Sequence, residues 1–154
     1  MSTTHSVRSD LSAFDRAPVW LNSEPLRYGR GVGRVDSPAH LALNRWAVSG
    51  DWTVEEKSAV LNAPGGSVTF RFHARDLNLV LTPPASGAPV RFTALLDGEP
   101  PRDAHGLDVN ELGEGTLDGP RMYQLVRQHG PIGPRTFEIT FLDPGVRAYV
   151  FTFG

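Results

Sequence analysis

The chain has 154 residues, no cysteine and a formal net charge of -2 at pH 7. Its length suits one domain with a real core, and 40% hydrophobic with 21% charged residues is ordinary for a soluble globular protein. The lack of cysteine excludes disulfides, thiol redox chemistry and zinc sites with cysteine ligands. The slightly negative charge argues against nucleic acid as a partner, because nucleic-acid binders concentrate positive charge.

No apolar run reaches the roughly 18 residues that a membrane-spanning helix needs. The first residues, MSTTHSVRSDLSAFDR, are polar and lack the apolar segment of a signal peptide. We therefore expect a cytoplasmic protein with no membrane partner.

Residues 1–38, which end just after the Gly- and Arg-rich stretch RYGRGVGR, show no regular alternation and predict an irregular N-terminal arm. From residue 39 onward, short runs rich in branched and aromatic residues alternate with turn-rich separators such as NAPGG, PPASGAP, DGEPP and HGPIGP. Short strands with a turn roughly every ten residues are typical of an antiparallel sandwich or barrel. The sequence therefore predicts an all-β domain over residues 39–154.

Trp46 and Trp52 flank the turn SGD near the start of this domain. Exposed tryptophan rings stack on the faces of sugars, so the pair is a candidate ligand-binding surface. The alternative, which the apolar neighbours of both residues favour, is that both rings belong to the core.

In the run SVTFRFH, the apolar residues face one side of a strand, and Thr69, Arg71 and His73 face the other. The arginine guanidinium presents several hydrogen-bond donors in a planar fork, and the histidine ring can donate or accept a hydrogen bond. Both suit the hydroxyls or the carboxylate of a ligand. Arg71 and His73 are therefore candidate ligand-binding residues. The alternative is an ordinary solvent face whose charges pair across strands with Glu138 or Asp97.

The segment DGEPPRDAHGLDVNELGEGTLDG carries seven acids among turn residues. Such oxygens can hold calcium, but no D-x-D-x-D-G spacing is present and acids beside Gly and Pro suit β-turns, so we predict a solvated hairpin and no metal. Within it, His105 and Asp108 form a candidate general-base pair if Gly106 bends the chain. The alternative is a structural, hydrogen-bonded His105.

The run RMYQLVRQ places Tyr123 and Arg127 on one face of a strand, and neither of its faces is cleanly apolar. Such a pattern indicates either a strand that lines a polar cavity or a strand at a sheet edge. If this strand lies in the same sheet as SVTFRF, Tyr123 and Arg127 could join Arg71 and His73 in one ligand-binding site. Tyr123 would supply an aromatic ring for stacking, and Arg127 a second guanidinium.

The same alternation predicts the core. Its members are large apolar residues on one face of four strands: Val68, Phe70, Phe72, Leu79, Leu81, Phe92, Leu96, Phe137, Ile139 and Phe141.

Four stretches carry a family resemblance: LALNRWAVSGDWTVEEKSAVLNAPGGSVTFRFHARDLNLVL, VRFTALLDGEPPRDAHGLDVNELGEGTL, RMYQLVRQ and RTFEITFLDPGVRAYVFTFG. They resemble the C-terminal module of DipZ-type proteins, which join a CcdA-like electron-transfer domain to a thioredoxin-like domain and then to this usually extracytoplasmic module. The resemblance implies a jelly-roll β-sandwich of about nine antiparallel strands, of the galactose-binding-like or carbohydrate-binding-module-like kind. APVWLNSEPL resembles the entry into the thioredoxin domain and YGRGVGR the following linker, so residues 1–38 are interpreted as a remnant of both.

We therefore expect a stand-alone ligand-binding or interaction domain with no cofactor and no thiol redox activity. Its expected ligand is a glycan or a small molecule, and its further partner a second copy or a separate protein. A second interpretation is a small cofactor-independent enzyme of the isomerase, cyclase or lyase type, with acid–base work by His73 or His105 and Asp108 as orienter. A third is a degenerate remnant with structural value alone.

Overall fold

The computed structural model describes residues 18–28, 34–35 and 41–154. Their regular structure consists of strands and one short 3-10 helix, Arg102–Ala104. The strands are β1 (Val19–Trp20), β2 (Leu26–Tyr28), β3 (Arg34–Val35), β4 (Trp46–Ser49), β5 (Trp52–Val54), β6 (Ala59–Leu61), β7 (Ser67–Phe72), β8 (Asp76–Thr82), β9 (Val90–Leu96), β10 (Glu114–Leu117), β11 (Arg121–Arg127), β12 (Arg135–Phe141) and β13 (Arg147–Phe153).

The strands form two sheets. Sheet A has the order β11-β8-β13-β6-β5. The short strand β1 also pairs with β13, at Val150 and Phe151, just beyond the residues of β13 that pair with β6. Sheet B has the order β10-β9-β12-β7-β4-β2-β3. The described pairs are antiparallel, apart from β2, which runs parallel to both β3 and β4. The predicted fold class, an all-β sandwich of the jelly-roll kind, is confirmed.

The structure has more strands than the nine or so that the sequence predicts. The additional strands are two or three residues long, too short to show an alternation: β1, β2, β3, β5 and β6. Three of them fall within residues 1–38. Backbone pairing holds these three short strands of the predicted arm in the sheets, β1 against β13, β2 against β4 and β3 against β2.

Residues 1–17, 29–33 and 36–38 of the predicted arm, and residues 39–40 of the predicted sandwich, lie outside the described residues. The interpretation of residues 1–38 as a remnant of a thioredoxin domain stays a prediction. Within the part of the chain that the structure describes, no helix has the length and apolarity that a membrane span requires.

The core lies between the two sheets, and the prediction of its ten members is confirmed, since each is at most 3% exposed. Phe70 of β7 stacks on Phe151 of β13, with ring centroids 4.5 Å apart. Because β7 belongs to sheet B and β13 to sheet A, this pair fastens one sheet to the other.

Trp46 and Trp52 belong to this core, with exposures of 6% and 5%. The Trp52 indole N–H donates a hydrogen bond to the Ser49 carbonyl at 3.0 Å, and its ring meets Phe141 edge-on. Neither ring is open to a ligand, so the hypothesis that they stack on a sugar is corrected in favour of its core alternative.

Candidate functional site

The outer face of sheet A carries an apolar row that crosses four strands. Met122 of β11 lies opposite Val80, Val80 opposite Val150, and Val150 opposite Trp20 of β1. The Trp20 ring is 54% exposed, whereas Val150 beside it is buried. We call these four residues the apolar row. It presents an aromatic ring to solvent at one end and a flexible thioether at the other.

A polar row runs beside it. Gln124 lies opposite Asn78, and Asn78 lies opposite Thr152. The Asn78 amide donates to the Thr152 hydroxyl at 3.3 Å. These three half-buried side chains, which we call the amide row, offer both donors and acceptors on the outer face of sheet A.

A charged pair completes this face at the start of β8 and the end of β11, where Arg127 lies opposite Asp76. Arg127 donates through Nε to one Asp76 oxygen at 3.2 Å, and Arg75 donates through Nη2 to the other at 2.9 Å. One half-buried carboxylate therefore faces two arginines, whose side chains are about half exposed.

Arg127 reaches this face through a β-bulge in β11. Gln124 pairs with Asn78 and Val126 with Leu77, so Leu125 is an extra residue without an opposite partner on β8. Leu125 and Val126 are both buried, which shifts the alternation by one residue and turns Arg127 outward.

A loop beside β11 forms the wall of a cleft of about 180 Å³ on this face. The Gly106 N–H donates to the Leu125 carbonyl and the Asp108 N–H to the Gln124 carbonyl, both at 3.0 Å. The cleft is lined by Asp76, Asn78, His105, Gly106, Leu107, Met122, Gln124, Val126 and Arg127.

Gly106 allows the loop to lie this close to β11. A Cβ atom at this position would sit 2.2 Å from the Gln124 carbonyl oxygen, a backbone atom that cannot move aside alone. The glycine is needed for close approach of two backbones rather than for the bend that would join His105 to Asp108.

The predicted pairing of His105 with Asp108 as its orienter is wrong. The Asp108 carboxylate instead accepts a hydrogen bond from the Gln124 N–H at 2.7 Å and pairs with Arg121 at 2.9 Å. The hydrogen bond that Arg121 donates to Asp108, together with the negative charge of that carboxylate, raises the pKa of Arg121 above the ordinary arginine value. His105 contacts the Gly106 carbonyl through Nδ1 at 2.8 Å, so Nδ1 carries the proton of the neutral ring and Nε2 is left for other partners.

Arg71 and His73 lie away from this face. They are on and just after β7 in sheet B, whereas β11 is in sheet A, so the expected single sheet with Tyr123 and Arg127 does not form. His73 is exposed, and Arg71 donates to the hydroxyl of Thr136, its cross-strand neighbour, at 2.8 Å rather than pairing with Glu138 or Asp97 in the described contacts.

Tyr123 faces the core. Its ring is fully buried and meets Phe92 edge-on, and its hydroxyl accepts hydrogen bonds from the backbone N–H groups of Asp118 and Gly119 at 3.0 and 3.1 Å. The expectation of a stacking ring at this position is therefore corrected: Tyr123 anchors a turn.

The acidic segment forms turns. At its start, Asp97 and Gly98 both have positive φ, 53° and 81°, in a tight turn that Leu96 and Glu99 close by mutual backbone hydrogen bonds. Among residues 18–28, 34–35 and 41–154, no group of three or more His, Cys, Asp or Glu side chains is arranged to hold a metal ion.

Three other depressions on the described residues are larger. One of about 280 Å³ lies beside β9 and β10, one of about 450 Å³ lies at the β5–β6 turn, and one of about 230 Å³ lies beside the 3-10 helix. The second is rimmed mainly by the charged residues 55–57 and Arg147. The outer face of sheet A is the better candidate site, because an exposed indole and a polar cleft lie on the same face, at opposite ends of the apolar row.

Sequence reasoning missed most of this site, including Trp20, Asp76, Asn78 and Gln124. For Trp20 a local signal exists, because Val19 and Leu21 flank it with apolar side chains and Leu21 is fully buried. That alternation turns the ring outward.

Residues 18–154 match the family described as the thioredoxin-like C-terminal domain. No curated protein matches the sequence at a significant level. Among solved structures, a family two carbohydrate esterase from Clostridium thermocellum in complex with cellohexaose shares 15% identity, with a TM-score of 0.52 over 71% of this chain and 31% of that one.

An active-site mutant of a family two carbohydrate esterase from the same organism gives 14% identity and a TM-score of 0.53, over 72% of this chain and 31% of that one. The family two carbohydrate esterase from Cellvibrio japonicus gives 14% and 0.50, over 70% and 30%. The chain thus spans about a third of the length of these esterases, and the likeness shows a shared fold. The match over residues 18–154 shows that the chain belongs to the thioredoxin-like C-terminal domain family.

Proposed function

We propose that this chain is a non-catalytic carbohydrate-binding domain whose outer face of sheet A holds the glycan. The observation that carries the proposal is the register of four strands, which sets the exposed Trp20 ring and the amide row side by side on one face.

The chemistry of the face complements that of a sugar. A pyranose has an apolar face of C–H groups, which an indole ring covers, and a rim of hydroxyls, which each donate and accept. Gln124 and Asn78 offer amide groups for that rim, and Nε2 of His105 offers an acceptor at the wall of the cleft.

The dimensions of the face favour an extended chain over a single sugar. Trp20 and Met122 stand at the two ends of a row that crosses three strand spacings of about 4.8 Å, roughly 14 Å in all. One sugar ring covers about one spacing, so an oligosaccharide is needed to contact the ring and the cleft together.

The fold neighbours support a glycan as the ligand. One of the similar esterase structures holds cellohexaose, which makes this oligosaccharide a reasonable first probe. We do not propose esterase activity, because the shared fold covers about a third of those chains. A chain without cysteine is also expected to show no activity in an insulin-reduction assay.

Calorimetric titration with cellohexaose and with a panel of other oligosaccharides tests the proposal. We expect saturable binding that Trp20→Ala weakens. Leu142→Ala is the matched control, because Leu142 is a large apolar side chain of similar exposure (45%) that follows β12 of sheet B. Absence of binding to every member of a broad panel, or equal loss in both variants, would overturn the proposal.

A further inference from the structure

Two arginines share the carboxylate of Asp76, but they are held differently. Arg75 donates to one oxygen through both Nε and Nη2, at 3.2 and 2.9 Å. Arg127 donates to the other oxygen through Nε alone, and within the described residues its two terminal nitrogens make no hydrogen bond or ion pair. Arg127 also lines the cleft, whereas Arg75 does not.

The cleft is therefore rich in donors at this end. Asp76 is its one acidic lining residue, and that carboxylate is already engaged by both arginines. The terminal nitrogens of a guanidinium form a fork that matches the two oxygens of a carboxylate, a geometry that a hydroxyl does not use fully. Gln124 also lines the cleft, opposite Asn78 and two residues along β8 from Asp76, and its amide is a further donor.

We propose that the Arg127 end of the cleft takes a carboxylate, so that the preferred ligand is an acidic glycan with uronic acid residues. The inference rests on the proposed glycan-binding function and names the class of sugar. The fork of Arg127 binds the carboxylate, and the rest of the chain extends over the amide row towards Trp20.

An oligogalacturonate and its fully methyl-esterified form are the matched probes, because they share the sugar chain and differ in the charge of the carboxyl group. We expect the acidic form to bind the wild-type chain about 10- to 100-fold more tightly than the ester, because a charge-assisted hydrogen bond contributes a binding free energy of that size. Added salt should reduce this preference, because the pair is partly exposed.

Arg127→Ala should abolish the preference, and Arg75→Ala should keep it. Both variants remove one positive charge beside the same carboxylate, so a general effect of charge would appear in both. Thermal melting checks that each variant is folded.

The outcomes separate the two proposals. Equal affinity of the wild-type chain for the acid and the ester, or a preference that survives Arg127→Ala, overturns the carboxylate assignment while glycan binding stands. If the acid, the ester and cellohexaose all fail to bind, the carboxylate assignment falls, and a broad panel without a ligand then removes the proposed function as well.

Discussion

Trp20→Ala is the most direct test of the outer face of sheet A, and its size follows from the exposure of the ring. Trp20 is 54% exposed, and a tryptophan offers up to about 250 Å², so about 135 Å² is available to a ligand. A flat sugar chain covers one face of the ring, roughly half of that area. At about 25 cal/mol per Å², loss of this contact costs about 1.7 kcal/mol, a rise of roughly 18-fold in Kd.

The assay can be made specific to this residue. Trp46 and Trp52 are buried in the core, so a change in indole emission on titration with oligosaccharide should come from Trp20. Trp20→Phe should keep an aromatic ring and most of the affinity but lose the emission change. If the Kd measured by calorimetry were the same for Trp20→Ala and the wild-type chain, the ring would have no part in binding and the reasoning would be refuted.

Three further predictions concern the core, the cleft wall and the other sheet. Phe70→Ala should lower the free energy of unfolding by about 3–5 kcal/mol in urea titration, because its ring is fully buried between the sheets; a loss under about 1 kcal/mol would contradict that placement. Gly106→Ala should push the loop off β11 and weaken binding in the cleft, whereas Gly133→Ala, with no atom within 4 Å of the new Cβ, should leave calorimetric affinity unchanged. Arg71→Ala and His73→Ala should also leave the affinity unchanged, because Arg71 lies in sheet B and His73 directly follows the same strand; a strong loss of affinity would indicate that the site is on that sheet instead.

The fold was predictable because its main determinants are local. Alternation within single strands identifies the inner face, and the ten predicted core residues need no knowledge of which strands are neighbours. The strands that escaped prediction are the two- and three-residue ones, where an alternation cannot be read and where pairing with a longer strand decides the structure.

The site was less predictable because it depends on register between strands that are far apart in the sequence. Trp20, Val80, Met122 and Val150 come together only when β1, β8, β11 and β13 pair in one particular alignment. Each residue alone is unremarkable, since single apolar side chains on a surface are common. The assignment of tryptophans shows the same limit: Trp46 and Trp52 flank a turn in the predicted sandwich but are buried, whereas the exposed ring belongs to a two-residue strand.

The mixed pattern of RMYQLVRQ has a physical explanation that also accounts for the cleft. With strict alternation, Arg127 would follow Tyr123 and Leu125 into the core, where an unpaired charge is very costly. The bulge at Leu125 removes that conflict, because one extra buried residue reverses the facing of everything after it. Arg127 then emerges on the outer face opposite Asp76, which supplies a counter-charge, and beside the loop that Gly106 allows to pack there. The irregularity that keeps an arginine out of the core is thus the one that places its guanidinium in the candidate site.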